Sequence, residues 1–129
     1  MYEKSKGVEQ DLVQAVYWYR KAAEQDDSTG QWRLGAMYEE GEGIEQDLTQ
    51  AVYWYRKAAE QDNSTGQWYL GNMYKFGNGV EQDLAQAAYW FRKAAEQGDS
   101  QGQWCLGIMY EEGEGIEQDL TQATDWYRT

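Results

Sequence analysis

Apolar and polar positions along the chain follow a helical rhythm that restarts every 36 residues. In DLTQAVYWYRKAAEQ, residues 47–61, Leu48, Ala51, Tyr55 and Ala58 follow at spacings of 3, 4 and 3, which is one face of a helix. Asp47 and Gln50 make a capping-box-like pair at its start. The same helix is predicted at 11–25, at 83–97 and from 119 to the end. A shorter helix is predicted from STGQWRLGAMYEE, residues 28–40, capped by Ser28 or Asp27 and seamed by Leu34, Gly35 and Tyr38. A glycine inside a helix costs about 1 kcal/mol relative to alanine. Its presence at 35, 71 and 107 predicts a partner helix too close for a Cβ. The glycines of GEGIEQD then end the helix through positive φ, and with no proline in the chain, glycine carries all the punctuation.

The period is visible column by column. Leu12, Leu48, Leu84 and Leu120 align, as do Ala15, Ala51, Ala87 and Ala123, and Trp18, Trp54, Trp90 and Trp126. Trp32, Trp68 and Trp104 form another column, which suits an aromatic ladder and a packing seam equally, and Gly7, Gly43, Gly79 and Gly115 a further one. The fifteen residues MYEEGEGIEQDLTQA occur at 37–51 and again at 109–123, with the altered copy MYKFGNGVEQDLAQA between them at 73–87. One helix pair of this size cannot bury its own apolar face, whereas stacked pairs can. The expected fold is therefore all-α, a right-handed superhelical solenoid of antiparallel helix pairs without a sheet. The units are a partial repeat at 1–28, repeats at 29–64 and 65–100, and a partial repeat at 101–129.

The pattern LGxMYxxGxGVxQDxxQAxYWYRKAAEQG, followed here in three and a half copies over essentially the whole chain, resembles the consensus of the Sel1-like repeat family, relatives of the tetratricopeptide repeats. The resemblance implies helix pairs whose first helices line a concave groove and whose second helices form the convex side. It also implies a non-catalytic adaptor in which the first helices make most ligand contacts. One branch of the family bridges each repeat with a cysteine pair; this chain has one cysteine, so that property is not carried over. Met1 and Tyr2 align with Met37 and Tyr38, so the first copy is expected to lack nearly all of its first helix, and Thr129 aligns with Lys57. The chain reads as a segment of a longer array whose terminal faces are partly apolar, which opens the way to end-to-end association.

Composition narrows the function. Twenty-three acids against eleven bases give a net charge of −12, which disfavours nucleic acid and anionic membrane surfaces as partners. No apolar run reaches the length of a membrane span, and no leader is visible. Because the chain reads as starting inside a repeat, the compartment stays open. Seven tryptophans and eleven tyrosines supply packing seams and binding surfaces alike.

Little points to catalysis. Histidine, the commonest general base and metal ligand, is absent, so Cys105 has no activating partner of that kind. Glu39, Glu40, Glu42, Glu45 and Asp47 crowd one loop, but their spacing does not match a calcium loop and the middle copy mostly loses them. Gly41-Glu42-Gly43 follows a helix and is flanked by acids, which does not suit phosphate. No pair of carboxylates stands out from the repetition. No enzyme, metal or cofactor is expected. The competing reading to an adaptor is a structural spacer with no ligand of its own.

Stacking requires the same residue at each packing position of every unit, whereas recognition does not. Leu34, Gly35, Met37 and Tyr38 are invariant between copies. Arg33, Ala36 and Glu40 become Tyr69, Asn72 and Phe76, then Cys105, Ile108 and Glu112. Spacings of 3 and 4 place each set on one stripe of its helix, expected opposite the seam and facing the groove. Glu39, Glu40 and Glu42 give way to Lys75, Phe76 and Asn78, a local change from −3 to +1, and residues 65–100 carry −1 against −4 before and −5 after. A protein or peptide ligand is therefore expected at Tyr69, Asn72, Lys75 and Phe76, with Ile108, Cys105 and Arg33 extending the strip.

Overall fold

The computed structural model describes residues 2–115, 122, 123, 125 and 126. Among them are six helices and no strand: α1 Tyr2–Glu24, α2 Ser28–Glu40, α3 Leu48–Glu60, α4 Ser64–Phe76, α5 Leu84–Glu96 and α6 Ser100–Glu112. Each helix packs on the next in the chain, and α2 also touches α4, so the pairs α2–α3 and α4–α5 stack as successive units. The predicted fourth copy of the second helix falls largely outside the described residues, although Gln122, Ala123, Asp125 and Trp126 are helical.

The caps explain why the helices start and stop where they do. Asp27, Asn63 and Asp99 are extended at the N-cap and accept from Thr29 N, Gly66 N and Gln101 N. Asp47 and Asp83 cap α3 and α5 by accepting from Gln50 N and Gln86 N. Each satisfies one of the backbone donors that a helix start leaves over. Each first helix ends on a left-handed glycine, Gly41, Gly77 or Gly113, whose N–H closes on the carbonyl of Met37, Met73 or Met109.

One expectation is corrected. The repeat predicts a loop in the first copy before a helix at residue 11, but α1 runs unbroken from Tyr2. The position that is Gly41, Gly77 and Gly113 in the other copies is Ser5 in this one. Gly7 is kept in the column of Gly43, Gly79 and Gly115, but without the glycine that stops the helix two positions earlier the segment runs on as helix, and Asp11 lies inside it.

Leu34, Ala51, Tyr55, Ala58, Leu70, Ala87, Phe91, Ala94 and Leu106 are fully buried, matching the expected seams. Gly35 and Gly71 meet the expected close approach, while the position facing Gly107 lies outside the described residues. A Cβ on Gly35 would lie 2.8 Å from the Tyr55 ring, and one on Gly71 2.6 Å from the Phe91 ring. The helical cost of glycine is thus offset by seating a large ring in each pair.

Two further devices join units, and both repeat. Gln31 and Gln67, buried amides, donate to Ala23 O and Ala59 O at 3.2 Å, and Gln103 donates to Ala95 O at 3.3 Å. Gln61 and Gln97, just past the second helix of the same unit, donate in turn to Gln31 Oε1 (2.8 Å) and Gln67 Oε1 (2.9 Å). Buried amides satisfied on both ends fix the register between units, since an unpaired one would cost about 1–3 kcal/mol. Arg20, Arg56 and Arg92 donate to the hydroxyls of Tyr38, Tyr74 and Tyr110 on the next first helix.

Candidate functional site

The varying stripe sits on α2, α4 and α6, and its three positions have different surroundings. The first position belongs to the boundary between units. Tyr69 is half-buried and stacks on Tyr55 at 4.7 Å with the planes 6° apart. It also stacks on Trp32 at 5.7 Å and meets Trp68 edge-on at 4.9 Å. Arg33 occupies the equivalent place one unit earlier, its guanidinium 4.7 Å from the Trp32 ring and 5.8 Å from Tyr19. Cys105, half-buried, packs against the cluster containing Phe91 and Trp68. The expectation that the whole stripe lies opposite the seam therefore fails at its first position. At the first, the side chain leans back on the aromatic residue of the preceding second helix.

Burial pushes the Cys105 thiol up, against the opposing pull of the Trp68 indole and the Lys75 ammonium. This thiol is held protonated, the inert form.

The second position, where Ala36 packs against the core, is more covered than the third. Ala36, Asn72 and Ile108 are half-buried, and Glu40 and Glu112 are exposed. Phe76 is 63 % exposed, a large apolar ring left in water at the end of α4. Lys75 lies beside it, with Nζ 5.5 Å from the ring centroid. Asn72, Lys75 and Phe76 are thus brought to one end of α4. Ile108 lies on the neighbouring first helix.

Trp32 and Trp68 are half-buried, and Trp104 is 59 % exposed. Trp32 serves as a stacking seat for the next unit, which favours packing over an open ladder. On the second helices, Tyr17, Tyr53 and Tyr89 are about half exposed, each braced edge-on by the following tryptophan at 4.9 Å.

A pairing that helical spacing does not reveal explains part of the middle unit's divergence. Tyr55 donates its hydroxyl to Glu39 Oε1 at 2.6 Å, locking α3 to α2. In the next unit the equivalent residues are Phe91 and Lys75: the hydroxyl and its acceptor have gone together. The two columns changing in step was the available signal. Likewise, an invariant glutamine at 31, 67 and 103 beside an invariant tryptophan marked the amide chain.

Burial pushes the Tyr55 hydroxyl far above its ordinary value, and the hydrogen bond to Glu39 and the charges of Glu39 and Glu40 add to this; Tyr69 is raised by burial. Unfolded tyrosine loses its proton near pH 10, while the folded chain keeps it on Tyr55. Above pH 10 the native state therefore binds more protons than the unfolded one. Stability present below pH 10 should be lost as pH rises, by up to about 1.4 kcal/mol per pH unit. Urea unfolding between pH 8 and 11.5 should show this loss, and Tyr55→Phe should make it shallower. An unchanged slope in Tyr55→Phe would contradict the assignment.

Among the described residues no three His, Cys, Asp or Glu side chains are grouped to hold a metal ion. No helix among them is long and apolar enough to cross a membrane.

Stacked helix pairs with an invariant seam define an α-solenoid repeat protein. The chain belongs to the Sel1 repeat family, whose model matches residues 1–27, 28–63, 64–99 and 100–129. Its fold is similar to that of c5321, described as a protective antigen of uropathogenic Escherichia coli strains displaying an SLR fold. The TM-score is 0.88 at 47% identity over 91% of this chain and 25% of that one. A Sel1 repeat protein from Oxalobacter formigenes gives 0.82 at 38% identity over 88% of this chain and 46% of that one. Helicobacter pylori cysteine rich protein B gives 0.74 at 27% identity over 94% and 86%. This chain thus spans a quarter of the E. coli antigen and under half of the Oxalobacter protein. A comparison with curated protein sequences finds no match. Sel1 repeat proteins are typically non-catalytic scaffolds for protein–protein interaction.

Proposed function

We propose that this chain is a non-catalytic scaffold whose first helices line a concave groove and present it to a protein or peptide partner, with the middle unit as the contact centre. The observation that carries this reading is the contrast within α4. Leu70, Gly71 and Met73 repeat the neighbours' packing residues, while Asn72, Lys75 and the exposed Phe76 depart from them. A bulky ring exposed beside a cation, on a unit otherwise held to the pattern, is the kind of anchor that interfaces use. Tyr69 contributes through its ring edge and through the shape of the boundary it fills, and Ile108, Cys105 and Arg33 flank the strip.

The test is a display selection of peptides against the intact chain, followed by affinity measurement on Phe76→Ala/Asn72→Ala. Affinity should fall about tenfold or more, with helicity and melting unchanged. Equal affinity would favour the spacer reading. Tyr69→Ala is the wrong probe, because it also empties the boundary between units.

A second element of the reading concerns the ends. Trp18 is 63 % exposed, whereas its equivalents Trp54 and Trp90 are 8 % exposed within the stack. That indole favours end-to-end association of copies at high concentration.

A further inference from the structure

We infer that the partner is an extended segment carrying an apolar residue between two basic ones, laid across the row Glu40, Phe76 and Glu112. This rests on the proposed binding role and specifies the chemistry of its ligand. The three residues occupy the same position at the C-terminal ends of α2, α4 and α6, so they form one row across three units. The outer two are exposed carboxylates and the centre is a phenyl ring 63 % exposed.

Three observations set the polarity of the ligand. First, the hydrogen bond that Glu112 shares with Glu114, and the like charge beside it, raise Glu112 above the ordinary carboxylate range, and the Lys75 ammonium only partly offsets them, so negative charge is crowded at that end. A ligand cation relieves that crowding. Second, the carbonyl ends of α2 and α6 add a negative potential at both outer positions, whereas at the end of α4 the Lys75 ammonium offsets it. Third, Lys75 stands beside the central ring and repels a cation there. A uniformly basic segment is therefore disfavoured, and basic–apolar–basic is selected.

Lys75 is also not an isolated change. Glutamate at its position would accept a tyrosine hydroxyl, as Glu39 does from Tyr55, and the chain has Phe91 where that hydroxyl would be. The middle unit thus carries a compensated replacement of acid by base, which places Lys75 beside Phe76 without leaving a buried hydroxyl unpaired.

Spacing follows from geometry. Packed helices lie about 8–10 Å apart, so two steps from α2 to α6 put Glu40 and Glu112 roughly 20 Å apart or slightly more. An extended chain rises about 3.3 Å per residue, which places the basic residues about six apart with the apolar one midway.

The test uses the full chain and three labelled peptides read by fluorescence anisotropy: Arg-Ser-Ser-Leu-Ser-Ser-Arg, its Glu-ended counterpart and its Ser-centred counterpart. The first should bind at least about tenfold more tightly than either other. Phe76→Ala should remove the preference for leucine, and Glu40→Gln/Glu112→Gln should remove most of the salt dependence. All three residues are exposed, so the variants keep the fold. Equal or tighter binding of the Glu-ended peptide, or binding of the first peptide indifferent to Phe76→Ala, would overturn the inference. Selected peptides that depend on Phe76 but lack the basic–apolar–basic pattern would overturn this inference and leave the groove reading standing. Selected peptides independent of Phe76 would overturn both.

Discussion

Gly79→Ala is expected to destabilise the chain by about 3 kcal/mol or more, through left-handed backbone strain of about 1–2 kcal/mol plus overpacking of about 1–3 kcal/mol. Gly79 has φ +72, and a Cβ there would lie 2.4 Å from Leu48 O and 2.6 Å from Leu48 C. Both atoms are backbone of the preceding unit's second helix, so no side chain can swing aside. The loop after α4 would have to lift from the start of α3, loosening the joint that holds successive units together. Two other glycines separate the contributions. Gly98 has φ +86 with nothing within 4 Å of an added Cβ, so Gly98→Ala should cost only the backbone strain. Gly7 lies within α1 with open space around it, so Gly7→Ala should stabilise by about 0.5–1 kcal/mol. Urea unfolding of the three variants checks the order, and equal effects at Gly79 and Gly98 would show that the backbone contact is not felt.

The period, the seams and the caps were legible because each is written in residue types that do one job at a fixed spacing. Leu34, Gly35 and Tyr38 against Ala51, Tyr55 and Ala58 needed no knowledge of neighbours beyond the next helix. Two features were not legible in that way. The unbroken start of α1 depended on a missing residue, Ser5 where a glycine stop was needed, and an absence is harder to read than a motif. The place of Tyr69 depended on a ring 14 positions earlier, Tyr55, across the turn between units. Helical spacing assigns a residue to a face of its own helix, but not to what that face meets.

The same limit explains the buried glutamines. By residue type Gln31 and Gln67 read as surface, yet both are fully buried because each bridges a carbonyl behind it and an amide ahead. Their burial shows that unit-to-unit invariance reports packing even at polar positions. It strengthens the inverse inference for positions that vary. Arg33, Tyr69 and Cys105 qualify that inference: a boundary position can vary too, provided each occupant satisfies the aromatic seat beneath it.

The middle unit is the centre of recognition if restoring its neighbours' pattern abolishes binding without disturbing the stack. The variant Lys75→Glu/Phe76→Glu/Asn78→Glu/Phe91→Tyr writes that pattern into α4 and α5, and Phe91→Tyr gives the new glutamate the hydroxyl that Glu39 has in Tyr55. Phe76 and Asn78 are exposed, and the substituted positions 75 and 91 reproduce the Tyr55–Glu39 hydrogen bond of the preceding unit, so helicity and melting should stay close to those of the parent. The deciding measurement is the affinity of this variant for peptides selected against the parent chain. Loss of a central aromatic anchor together with reversal of the neighbouring charge should weaken binding by about a hundredfold. A variant that melts like the parent and binds those peptides within about twofold of it would contradict the assignment, since that difference is under about 0.5 kcal/mol.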